Sequence, residues 1–260
     1  MRHLFYFPLL FLIACSSLEG VTQNESKINL LDQDLIQFIG ETSKKNAEDL
    51  EKILAQSSHQ VSTLVIESPG GDIVGGMQIG RLVHKYRLKV VVENICASSC
   101  ANYVITASHD VKVKKEALVG WHGGATQPLY MPMEVESSLL EASEDEEKNF
   151  HEQMRILINE EIDFFQLIGV NQAITILGMS PKLKETRHAP LFSYDTSTLQ
   201  RLGLNIKFEE DQNHRSERRT ELVQVFVLSR SLLASLLTLH EKKLEDWASS
   251  ELSTEDVINE

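Results

Sequence analysis

The stretch "ENICASSCANYVITA", residues 93–107, decides the reading of the chain. Two of its three cysteines, Cys96 and Cys100, flank Ser98 and Ser99, and an apolar helical segment starts there. It follows "LKVVVE" (88–93), a β-branched run that reads as a strand. A hydroxyl at the first turn of a helix lies where the helix dipole and the next amide favour negative charge. Small neighbours at Ala97, Ser98 and Ala101 admit a substrate closely. A serine at a helix start is also an ordinary cap, so the stretch needs company before it means chemistry.

The company lies on both sides. Upstream, "VSTLVIES" (61–68) reads as a buried strand, and "SPGGDIVGG" follows it. Pro69 stiffens that turn, while Gly70 and Gly71 let bare amides face an anion or a developing oxyanion. A helix is expected over 71–86 and another over 43–57, with a strand at 34–40. Downstream, 110–113 and 117–122 read as strands, and "VGWHGG" ends the second with His122. A neutral imidazole there can take a serine proton and return it to a leaving group. Strands alternating with helical segments predict an α/β fold of stacked βαβ units with a largely parallel sheet.

Taken in order, these pieces resemble the Clp peptidase family of serine proteases, within the wider Clp/crotonase fold, over roughly residues 34–208. The resemblance rests on "SPGG" after the second strand, the small-residue "ASSC" turn, a histidine further on, and a short helix ending in "LGL" (202–204). It is narrower still toward a group of exported bacterial Clp-like proteins. It implies Ser99 as nucleophile, selected over Ser98, and His122 as base. It also implies the backbone amides of Gly71 and Cys100 as the oxyanion hole. The family's acid falls near Leu191, where "RHAPLFSYD" offers no carboxylate. Asp195 and Glu185 are the nearest candidates, and Asp195 also suits the cap of the helix expected over 196–204. Losing the acid of such a triad costs about 10⁴-fold in turnover.

The remaining regions set the context. "MRHLFYFPLLFLIACSS" carries one early charge and an apolar run too short to span a bilayer, ending in small residues as a secretory signal does. "LIAC" resembles a lipoprotein lipobox, which predicts lipidation at Cys15, a mature chain facing the periplasm and Ser16-compatible sorting to the outer membrane. An exported chain keeps disulfides. With Cys15 acylated, Cys96 and Cys100 remain as a pair, and a bridge clamping the nucleophile turn is expected; two buried thiols are the alternative. The expected division is a signal peptide at 1–14, a tether at 15–29, a Clp/crotonase-like domain at 30–210 that includes an acidic helix at 134–168, and a helical extension with an acidic tail at 211–260. Residues 179–195 read as loop, 205–210 as a final strand, and 220–247 as helix.

Composition excludes some functions. The chain of 260 residues is 42% hydrophobic and carries a net charge of −13, which opposes nucleic-acid binding. "HRSERR" (214–219) reads as a solvated turn. No metal site is expected, since two cysteines without spaced partners make no zinc cage, and no cofactor motif is present. The expected partners are a peptide or protein substrate, the membrane through Cys15, and further copies of the chain. Two other readings stand beside the hydrolase: a catalytically inactive binding or assembly module at the envelope, and crotonase-type thioester chemistry, which export disfavours.

Overall fold

The computed structural model describes residues 26–57, 61–131, 142–209 and 221–258. Its centre is β3 (Thr63–Ser68), where Leu64, Ile66 and Ser68 are buried in alternation, as a strand covered on one face requires. β3 runs parallel to β2 (Leu35–Ile39) on one side and β4 (Lys89–Ala97) on the other. β1 (Lys27–Asp32) adds the one antiparallel edge among the described strands of this sheet. The register between β3 and β4 shifts from Ile66↔Val92 to Ser68↔Cys96. The extra residues on β4 bend it, and its two halves take different partners. Val90–Val92 pair with β5 (Val111–Val113), and Ile95–Ala97 pair with β6 (Leu118–Gly120), both parallel. β8 (Ile206–Phe208) extends the sheet beyond β5. A second, two-stranded sheet joins β7 (Leu191–Tyr194) to β9 (Val223–Phe226) in parallel, and a Trp121↔Phe192 bridge links it to the end of β6.

Two crossover helices fill one face. α1 (Lys44–Gln56) starts at Ser43, whose side chain accepts the Asn46 amide, and buries Ala47, Leu50 and Leu54. α2 (Ile73–Lys85) starts at Asp72, whose carboxylate accepts the Gly75 amide at 2.6 Å. Such caps satisfy amides that the helix cannot, and each is worth about 1 kcal/mol. A π-helix (Cys100–Ile105) follows β4 and is buried throughout. α3 (Glu144–Ile168) opens with a capping box between Ser143 and Glu146 and closes at Gly169, φ 70°. α4 (Pro181–Lys184) and α5 (Thr196–Arg201) are short, and α6 (Arg230–Ile258) is the long C-terminal helix. The α/β class, the parallel sheet and the βαβ order are as the sequence implies.

Four expectations change. Residues 27–29, assigned to the tether, belong to β1, which pairs back on β2. The 179–195 segment holds α4 and β7, where Pro181 is tolerated because it occupies a first-turn position of the helix. Helix was expected from 220, but Val223–Phe226 form β9 on β7, as the β-branched "VQVF" favours. Helix begins only at Arg230. The acidic helix is described from Glu144 rather than 134. The signal and lipobox, Cys15, "HRSERR" and residues 134–141 lie outside the described residues. No helix among the described residues is long and apolar enough to cross a membrane.

Candidate active site

β4 and β6 carry the site. Their register ends at Ala97↔Gly120. Ser99 and His122 each lie two residues past that pair, beyond the C-terminal ends of two adjacent parallel strands. The Ser98 amide donates to the Gly120 carbonyl at 3.0 Å and ties the two strand ends together. Ser98 takes φ 54°, a conformation rarely adopted by a non-glycine residue. It breaks β4 and starts the π-helix in one step. Strain of this kind clusters at functional turns. The expected bridge is present: Cys96, at the end of β4, is disulfide-bonded to Cys100, at the start of the π-helix, with Cα atoms 5.2 Å apart. It closes the turn around Ser98 and Ser99.

The "SPGG" turn packs against this element. Gly70, at φ 101°, lies where a Cβ would fall 2.6 Å from the Ser98 Cβ and 2.7 Å from the Ala97 carbonyl oxygen. No side chain fits there. The turn is held from the other side by the Thr42 amide, which donates to the Gly70 carbonyl at 2.8 Å. Ser99 is 2% exposed, and its Oγ donates to the Gly71 carbonyl at 2.7 Å. Among the described residues, neither the Gly71 nor the Cys100 amide donates a hydrogen bond. Two amides beside the Ser99 turn therefore have no acceptor among the described residues.

His122 is half-buried. Burial holds its imidazole below the ordinary histidine range; a hydrogen bond with its own backbone opposes this, and the Arg187 charge adds to it. Neutral imidazole is the form a general base requires. No hydrogen bond joins Ser99 Oγ to His122 among the described residues; the hydroxyl's proton goes to the Gly71 carbonyl. Neither third-member candidate bonds to His122. Both oxygens of Asp195 cap α5, accepting the Thr198 and Ser197 amides and the Thr198 hydroxyl. Glu185 is exposed at the end of α4. The loop where an acid was sought supplies Arg187 instead, whose Nη1 is buried with no hydrogen-bond partner among the described residues.

Sequence reasoning passed over what holds the loop after His122. Asn102 of the π-helix donates to the Gly123 carbonyl at 2.7 Å. Glu161, on α3 and 0% exposed, accepts the Tyr103 hydroxyl at 2.5 Å, the Ala125 amide at 3.0 Å and the Gln172 amide group at 2.8 Å. From outside, α6 lays His240 Nδ1 2.9 Å from the Tyr130 hydroxyl, and Lys243 donates to the Leu129 carbonyl at 2.6 Å. The "HGG" that follows Trp121 was the available signal, since paired glycines mark a backbone pressed against something. A lone glutamate within the acidic face of α3 gave none. No cluster that could hold a metal occurs among the described residues.

No family model and no curated protein matches the chain. Solved structures do. A ClpP1 variant from Listeria monocytogenes is 19% identical and aligns over 70% of this chain and 94% of its own, with a TM-score of 0.41. A variant of the 1510-N membrane-bound stomatin-specific protease, in complex with a substrate peptide, is 12% identical over 78% of this chain and 94% of its own, with a TM-score of 0.39.

Proposed function

We propose that the chain is a serine hydrolase of the peptidase type that works through an acyl-enzyme. Ser99 is the nucleophile, His122 the base, and the Gly71 and Cys100 amides the oxyanion donors. One observation carries this reading: the Ala97↔Gly120 register sets Ser99 and His122 just beyond the C-terminal ends of two adjacent parallel strands. For reaction, the Ser99 hydroxyl leaves the Gly71 carbonyl and turns to the imidazole. Catalytic hydrogen bonds are often unmade in a resting site. His122 then takes the proton as Oγ attacks a carbonyl carbon, the two amides receive the oxyanion, and the imidazole protonates the leaving group. A second addition, by water, frees the acid and restores Ser99. Among the described residues no carboxylate bonds to His122, so the pair works as a dyad or as an atypical triad. The full reading includes a lipid anchor at Cys15, a periplasm-facing location at the outer membrane, and self-association. Leu30 and Leu31, exposed on edge strand β1, support the last of these.

A fluorophosphonate probe on the wild-type chain and on Ser99→Ala tests the assignment; labelling that survives the substitution overturns it. The missing acid favours a second reading, an inactive assembly module on the same scaffold. That module retains its cellular role in Ser99→Ala and loses it when 221–258 are deleted.

A further inference from the structure

We propose that Glu161 is a positioning residue that locks the His122 loop to the helix of Ser99. This rests on the hydrolase reading for its consequence, but not for its physical content. Glu161 is the one carboxylate buried among the described residues. One of its oxygens, Oε1, serves two elements at once. It accepts the Tyr103 hydroxyl, from the π-helix that starts beside Ser99, and the Ala125 amide, three residues after His122. Oε2 accepts from Gln172, which fixes the rotation of the carboxylate.

The glycine after the histidine motif fits the same arrangement. A Cβ at Gly124 would lie 2.5 Å from Glu161 Oε1, so the loop backbone approaches the carboxylate as only glycine allows. Burying a carboxylate is unfavourable, and apolar residues of similar size often replace buried charges without loss of stability. A role in packing alone would be met by leucine or methionine. What those residues lack is an acceptor that reaches two elements together. Burial pushes the Glu161 carboxyl up, against the hydrogen bonds donated by Tyr103, Gln172, Ala125 and Thr126.

The test uses the full chain with Glu161→Leu, Glu161→Gln and Tyr103→Phe. Glutamine retains an oxygen for Tyr103 and Ala125, and Gln172 can turn its own amide to match. The first readout is hydrogen–deuterium exchange of peptides covering 122–127 and 99–105. Glu161→Leu is expected to raise exchange in both segments at least tenfold, while Glu161→Gln stays within about threefold of wild type. Tyr103→Phe, which leaves the Ala125 bond in place, loosens 99–105 more than 122–127 and serves if Glu161→Leu does not fold. The second readout is the fluorophosphonate labelling rate, expected to fall at least tenfold in Glu161→Leu and to recover in Glu161→Gln. Unchanged exchange in a folded Glu161→Leu, or equal loss in leucine and glutamine variants, overturns the proposal. Wild type that does not label overturns the hydrolase reading instead, and the exchange result still decides the role of Glu161.

Discussion

Ser99 Oγ donates its proton to the Gly71 carbonyl at 2.7 Å. The hydroxyl that would attack a substrate is thus held by the turn that would supply one of the oxyanion amides. On the proposed reading this is the resting arrangement, and the Ser99 hydroxyl must exchange the Gly71 carbonyl for the His122 ring before it can react.

Ser98 and Ser99 have separable roles. Ser98 sits at φ 54° with its amide bound to Gly120, and shapes the turn through its backbone. Ser98→Gly fits that φ and is expected to hold stability within about 1 kcal/mol and to keep probe labelling. Ser98→Val forces a β-branched residue into the left-handed region and is expected to cost about 1–3 kcal/mol. Denaturant melts of the two variants check this.

Cys96 and Cys100 close a small loop at the nucleophile turn. In the chain-entropy view a loop this short contributes about 2 kcal/mol. Reduction, or the double substitution Cys96→Ala with Cys100→Ala, is expected to lower stability by that order and to slow labelling, since the Cys100 amide loses its anchor. Intact mass with and without reductant, followed by melts, reads both effects.

The charge beside His122 is cationic. Burial is the main cause of its lowered pKa, and Arg187 adds to it. A base is competent above its pKa, so the labelling rate should rise through a midpoint below the ordinary histidine value of 6.5 and then level off. Arg187→Met removes the repulsion and is expected to move that midpoint upward. A pH series of labelling rates on both proteins measures the shift; a downward move would show that the Arg187 charge does not act on this ring.

His240 makes the docking of α6 sensitive to acid. It is 3% exposed, and burial, with Lys243 nearby, brings its pKa down from 6.5 to about 4. The unfolded chain therefore binds a proton on this ring at a higher pH than the folded one. The contribution is fully present above pH 6.5 and is lost as pH falls toward about 4. From a drop of that size it reaches roughly 3 kcal/mol. His240→Gln should flatten the stability profile across this window, as followed by melts at pH 4–7.

Much of this architecture is legible in the residues. The β-branched run in "VSTLVIES" and the glycines of "SPGG" mark the strand and turn, and the cap Asp195 sits where the sequence puts it. What escapes is non-local. "VQVF" reads as part of an apolar helix until β7 offers it a partner, and β1 is visible only through its pairing with β2. At the candidate site, the small residues and glycines around Ser99, His122 and the cysteine pair single out that turn, and the expected disulfide is present. Glu161 was not legible, because nothing in "INEEIDFF" distinguishes the buried glutamate from the exposed Glu160 beside it. The helical phase of α3 makes that distinction only once the facing loop is in place.

Location of the covalent adduct is the most direct measurement. After reaction of the wild-type chain with a fluorophosphonate at neutral pH, peptide mass spectrometry is expected to place the phosphonyl group on Ser99. Ser99→Ala should abolish it, and His122→Ala should slow it by at least 100-fold. A wild-type chain that carries no adduct on Ser99, or a Ser99→Ala chain labelled as fast as wild type, would contradict the account.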